Sequence, residues 1–307
     1  METVSVLRDA RDYQILFLSL FLVLGLATRD WTLKPEVVGV AIATSLTTQA
    51  LFSAFHHRSK VTAEDSGELL LPTAIQAPQT TLPARFLEAL ANFKLNWRSP
   101  LISALGLSLL LRVDHLPTMA LAAFVAIASK FCLKVNDKHF FNPANIGIIA
   151  ALTLTHDAWV SPGQWGEELW YALIFLGAGG MVLKRVGRWD TTAAFLGSYA
   201  LLEAGRNWYL GWTWDVWLHR LSSGSLLLFA LFMVTDPRSI PNARPARLIW
   251  AISIAALTFI LRNYFYLSTA VFWALFVMSP LTVVLDAVWE SKRFTWKGLP
   301  SQSPTAS

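Results

Sequence analysis

Apolar residues fall in ten long runs, at about 13–28, 35–55, 99–112, 116–133, 144–156, 167–183, 191–204, 222–235, 247–262 and 267–287. Polar residues crowd between the runs and are sparse within them. The runs are longer than ordinary strands, so each predicts a helix. A helix needs about 20 residues to cross a bilayer. The pattern therefore predicts an all-α integral membrane protein with about ten transmembrane helices. The third and eighth runs, Pro100–Arg112 and Ser222–Thr235, are shorter than a full span. They hold the same place in two sets of five. An odd number of helices per set makes the second set point the opposite way, and paired short segments in inverted halves mark a central site. The predicted organisation is one polytopic domain. Residues 13–156 form the first half, with a long connection at 56–98, residues 167–289 form the second, and 290–307 are a tail.

Composition agrees with this pattern. Of 307 residues, 54% are hydrophobic and 15% charged, where a soluble domain carries about 25% charged residues. The deficit runs from Tyr13 to Trp289, so the whole chain reads as membrane-embedded. With the N-terminus inside, 19 of the 25 Lys and Arg residues fall on inner connections. That asymmetry predicts a multi-pass protein of the cell membrane with both termini cytoplasmic. It also accounts for a pI of 9.4 without nucleic acid. Trp31, Trp159, Trp165, Trp208, Trp212, Trp214 and Trp217 sit at or beside outer connections, as an interfacial belt requires. No small-residue cleavage site precedes Arg29, so a cleaved signal peptide is not expected. One cysteine, Cys132, excludes an internal disulfide and Cys-only metal sites, and reads as helix packing. The connection 56–98 reads as a loop with one short amphipathic helix near Arg85–Phe93. His56-His57 lacks further ligands at metal spacing, and no metal is expected.

Two polar islands lie on the inner side. Asn136-Asp137-Lys138-His139-Phe140-Phe141-Asn142-Pro143-Ala144-Asn145 leads into the fifth helix. Pro143 suits a first helical turn, Asn142 its cap, and Asn145 lies one turn on. The free N–H groups of such a start suit an anionic or carbonyl-bearing ligand; plain capping is the other reading. The second island, Thr235-Asp236-Pro237, ends the short eighth run. A carboxylate at a proline-broken helix end is costly unless used, and the break frees backbone groups. Asp236 reads either as a binding group or as a helix-ending charge paired with Arg238 or Arg244. Arg262 suits snorkelling to the outer interface, Asp286 a surface or helix-pairing charge, and Glu203 with Arg206 a pair on one helix face. Gly177, Gly179 and Gly180 suggest close helix packing.

The stretch Phe229-Ala230-Leu231-Phe232-Met233-Val234-Thr235-Asp236-Pro237 resembles the F-F-M-A-T-D-P signature of one family of membrane proteins. That family comprises NqrB, from the sodium-pumping NADH:quinone reductase, and RnfD, from the Rnf electron-transport complex. Phe141-Asn142-Pro143-Ala144 resembles its F-N-P-A signature, and Arg262 and Phe276-Val277-Met278-Ser279-Pro280 through Asp286 also fit. The resemblance implies ten helices in two inverted halves, similar to urea-transporter architecture. It also implies electron transport alongside other redox membrane subunits. It further implies a non-covalent flavin, riboflavin or FMN, within the membrane domain, placed here among Asn142, Asn145, Thr235 and Asp236. Family members carry a second flavin on the threonine of an outer S-x-A-T motif. Here Ser161-Pro162-Gly163-Gln164 stands at that place, and the amide of Gln164 has no hydroxyl for a phosphoester, so covalent FMN is not expected. Similar threonine-less relatives occur among membrane proteins of enediyne biosynthesis clusters.

These residues leave open an electron-transfer role, a small-solute or ion transporter of the same fold, and an assembly role without cofactor. No catalytic residue emerges from the sequence, because no triad, Walker loop or dinucleotide fingerprint is present.

Overall fold

The computed structural model describes residues 9–28, 34–65, 97–161 and 169–296. Within them the chain is mostly helical. The elements are α1 (Ala10–Thr28), α2 (Pro35–Asp65), α3 (Arg98–Leu110), α4 (Leu116–Cys132), α5 (Pro143–Leu154), α6 (Leu169–Val186), α7 (Trp189–Tyr209), α8 (Trp214–Leu221), α9 (Gly224–Leu228), α10 (Arg244–Asn263), α11 (Ala270–Met278) and α12 (Leu281–Val288). A π-helical turn, Phe229–Met233, continues α9. By length and apolar composition, Pro35–Phe55 and Arg244–Asn263 can each cross a bilayer among the described residues. Two bent pairs, α8 with α9 and its π turn, and α11 with α12, can each make one further span, with bends of 50° and 45°. Helices α3, α4 and α5 are apolar but short.

Helices α1 to α5 pack as one group, and α7, α10 and α11 as another with α6 against α7; α5 against α11 and α1 against α6 join the two. Two glycines set close approaches. A Cβ at Gly147 of α5 would lie 2.5 Å from the Ala122 carbonyl of α4, so these backbones touch as small residues allow. A Cβ at Gly179 would lie 2.7 Å from the Leu231 side chain, while Gly177 and Gly180 face open space. The packing expected of all three therefore holds at one. Large apolar side chains such as Leu201, Val23 and Val277 are exposed. That is costly in water and ordinary against lipid.

Several sequence expectations need correction. The all-α reading misses two short antiparallel pairings. Leu111–Val113 (β1) pairs with Ala158–Val160 (β4), closing the ends of α3 and α5 together. Lys134–Val135 (β2) pairs with Lys138–His139 (β3). Asn136 and Asp137 form the two-residue loop of this hairpin, both at positive φ (50° and 60°). Asn and Asp tolerate that region, and two positive φ values match the twist of tight hairpins. Helix α2 runs through residues 56–65, where the polar composition predicts a loop. The segment Arg85–Phe93 and Gln164 lie outside the described residues. The tenth run is not one helix: it breaks at Ser279-Pro280, because proline cannot donate to the ladder. The eighth run is preceded by α8, an amphipathic helix with no buried residue. Trp217 of α8 donates its Nε1–H to the Ala200 carbonyl (2.9 Å). Cys132 is exposed, not packed.

Candidate functional site

The start of α5, the π turn after α9 and the first turn of α11 are tied together by side chains that bond freed backbone groups. Asn142 caps α5: its Oδ1 accepts the Asn145 N–H at 3.1 Å. Its Nδ2 donates to the Met233 carbonyl at 3.1 Å, on the π turn. In a π turn each N–H reaches five residues back, as Val234 does to Phe229 (3.0 Å). Carbonyls beyond that point lose their helical partners, and side chains take them. Thr192 Oγ1 donates to Ala230 O (2.8 Å), and Thr235 Oγ1 to Leu231 O (2.8 Å). Asn145 Nδ2 donates to Phe272 O of α11 at 3.1 Å. Pro237, with no N–H, ends the segment, and the Arg238 N–H turns back to Asp236 Oδ1 (3.2 Å).

The structure thus brings Asn142, Thr235 and Asp236 to one cavity; Asn145 is not on its wall. Asn142, Asn145 and Thr235 are all at most 5% exposed, and each donates one hydrogen bond to a backbone carbonyl of a neighbouring turn or helix. Asp236 is half-buried at the rim, beside the exposed Arg238. It pairs with neither arginine proposed for it. Arg238 gives it only its backbone N–H, and Arg244 lies 3.6 Å from Asp190.

Residues that the sequence pattern does not single out complete the cavity. Lys130, near the end of α4 and 9% exposed, donates to Ser99 Oγ (3.1 Å) and Ser103 Oγ (3.2 Å) of α3. The spacing of Ser99 and Ser103, one helical turn apart opposite a late-helix lysine, is the signal that could have found it. His139, on the hairpin, is also buried here. Burial holds its pKa down to about 4; Asp236 works against that, and Arg238, Lys130 and Lys134 with it. Arg11 lines the cavity too, already held by Asp9 at 2.5 Å.

The cavity measures about 80 Å³. Small-molecule sites run to roughly 300–1,000 Å³. A flavin is of that class, so the group implied by the sequence resemblance does not fit here as the residues stand. At about 10–15 Å³ per water, the space suits roughly five to eight water molecules.

Around this core, ionic clips fix the neighbouring loops. Lys138 Nζ bonds Asp286 (2.6 Å) and Ile240 O (2.6 Å), and Asp286 accepts the Asn242 N–H (2.8 Å). Asp286 thus ties α12 to the hairpin and to the loop before α10; its partners lie on no other helix. Arg247 bonds Asp190 (2.8 Å), both nearly fully buried. Toward the far end of α7, Glu203 pairs not with Arg206 but with Arg220 (2.9 Å), Tyr199 (2.9 Å) and Asn263 (2.7 Å). Arg206 instead lies over Trp212. Arg262 does not simply snorkel; it donates to the Tyr199 hydroxyl (3.2 Å). No group of three or more His, Cys, Asp or Glu side chains suited to a metal occurs among the described residues.

Comparisons with known proteins bear on the second half of the chain. Residues 155–295 match the model of the NQR2, RnfD, RnfE family, covering Thr235-Asp236-Pro237, Arg262 and Asp286 but not Asn142. The D subunit of an ion-translocating oxidoreductase complex of Stutzerimonas stutzeri is 36% identical over 130 residues, 42% of this chain and 36% of that protein. The protein of the same name from Vibrio atlanticus is 34% identical over 117 residues, 37% of this chain and 32% of its own length. The matched stretch thus spans about a third of these relatives. The similarity of this chain to the NQR2, RnfD, RnfE family is thus carried by residues 155–295.

Proposed function

We propose that this protein is the membrane component of an electron-transport assembly and serves the ion side of its coupling. The relatives are named as D subunits of ion-translocating oxidoreductase complexes, which supports an electron-transport setting with other redox membrane proteins as partners. The observation that carries the ion assignment is the cavity below the broken helix. It has room for a few waters, sets charged and hydroxyl groups into a largely apolar wall, and lies where a π turn and a proline break a helix. Broken helices with polar groups at mid-chain serve ion and solute sites in transporters. A riboflavin or FMN has no seat among Asn142, Asn145, Thr235 and Asp236 in this arrangement, so electrons are assigned to groups outside this cavity. The ten apolar runs, arranged as two inverted halves with both termini cytoplasmic, remain the topology that best accommodates this role.

The test is spectroscopic. The full chain, tagged and drawn from its native membrane in mild detergent, should bring redox chromophores seen in a reduced-minus-oxidised difference spectrum. After separation from its partners the chain should show no flavin absorption. A chain that carries one acid-releasable flavin by itself would refute the assignment. So would a preparation with no reducible chromophore at all, which favours the transporter reading.

A further inference from the structure

The cavity holds a buried amine with no counter-ion in contact among the described residues. The bonds of Lys130 go to two serine hydroxyls, not to a carboxylate. A touching carboxylate would lock the ammonium form. Hydroxyls do not, because each can accept from an ammonium or donate to an amine. The lysine is therefore held in place in either state. A buried ionisable side chain in a chain of apolar helices is a functional candidate by default.

The surrounding charges decide which ion suits the space. From α4 comes Lys130, from the hairpin His139 and nearby Lys134, from the loop after the π turn Asp236 and Arg238, and from α1 Arg11, paired with Asp9. Helix α3 contributes no charged group to the wall; its hydroxyls there are Ser99 and Ser103. One carboxylate against this set leaves no net negative charge for an alkali cation. Moreover, the ammonium already occupies the cation's role between the hydroxyls. The remaining space accepts water.

We propose that Lys130, His139 and Asp236 form a proton-exchange site in this cavity, open to the cytoplasmic side, so that the ion handled here is H⁺ and not an alkali cation. A proton leaves the Lys130 ammonium through cavity water or the His139 imidazole and reaches the Asp236 carboxylate. The neutral amine then accepts a hydrogen bond from Ser99, since the Ser103 hydroxyl donates to the Ser99 carbonyl (3.1 Å). Asp236, at the rim, releases the proton to bulk water, and the reverse sequence reloads Lys130. An N–H bond of the ammonium breaks, an O–H bond forms on the carboxylate, and nothing is oxidised or reduced. His139 is suited to the middle position because burial keeps its ring neutral near pH 7, with one nitrogen to donate and one to accept. The proposal deepens the ion-coupled reading above and rests on it only for the direction of transfer.

The test titrates His139 by ¹⁵N NMR in the full chain, histidine-labelled, in lipid nanodiscs, with H139Q assigning its signal. Removing a neighbouring positive charge by Lys130→Met should raise the His139 midpoint. Removing the carboxylate by Asp236→Asn should lower it, each by roughly one pH unit. Lys130→Arg keeps the charge and should leave the midpoint near its wild-type value. Exchanging choline for sodium at constant ionic strength should not move the wild-type midpoint, a measurement that needs no variant. A midpoint indifferent to both Lys130→Met and Asp236→Asn would overturn the proposal, as would a sodium-specific shift. Neither outcome depends on whether redox partners are found.

Discussion

Replacing Asn142 by alanine should loosen the junction between α5 and the π turn. The side chain is 5% exposed and does two jobs. As the cap of α5 it satisfies the Asn145 N–H, and loss of such a cap costs about 1 kcal/mol. It also donates to Met233 O across to the π turn, and a bond between membrane helices contributes about 0.6–1.7 kcal/mol. Met233 O keeps a second partner in the Asp236 N–H (3.3 Å), so it is not orphaned. The Asn145 N–H is orphaned, which sets the total for Asn142→Ala at about 2–3 kcal/mol. Asn142→Ser restores the cap but not the bridge, and should recover about 1 kcal/mol of it. Reversible unfolding in mixed dodecyl maltoside and SDS micelles, followed by tryptophan fluorescence, measures both. If Asn142→Ala unfolds with the wild-type protein, or if serine and alanine behave alike, the two-bond account of this residue is wrong.

Other outcomes follow from the same geometry. Gly147→Leu should destabilise by about 2 kcal/mol or more in the same assay, since its Cβ meets the Ala122 carbonyl, whereas Gly177→Ala should be nearly neutral. Asp190→Ala should cost about 3–5 kcal/mol, because it leaves Arg247 buried without its partner. In the turn after α5, burial works against the Asp157 carboxylate, but hydrogen bonds from Thr118 and His115 hold its pKa down to about 2. Its folded value lies below the unfolded 3.8, so its contribution is present above that pH and is lost as pH falls toward 2. Unfolding compared at successive pH values through this window should lose that dependence in Asp157→Asn.

The helices were legible because lipid demands long uniform apolar runs, and most of the runs coincide with helical segments. What stayed hidden was local. The break at Ser279-Pro280 lies in a run apolar on both sides, and periodicity cannot show where proline bends it. The hairpin at Asn136-Asp137 is two residues per strand, too short for an alternating pattern. Asn142 was legible as a cap from Asn-Pro spacing, and that reading holds. Lys130 was hidden because a basic residue at a helix end reads as ordinary topology. Only the structure turns its amine toward Ser99 and Ser103. The partner of Glu203 was missed because Arg206 is its sequence neighbour, while Arg220 reaches it only through the fold of α8 back onto α7.

The most direct test of the central claim is reductant-driven ion uptake by inverted vesicles of the native membrane, read with a trapped pH dye. The wild-type protein should support acidification that Asp236→Asn and Lys130→Met abolish while the assembly still forms. Uptake at the wild-type rate in both variants would contradict the claim that this cavity carries the ion.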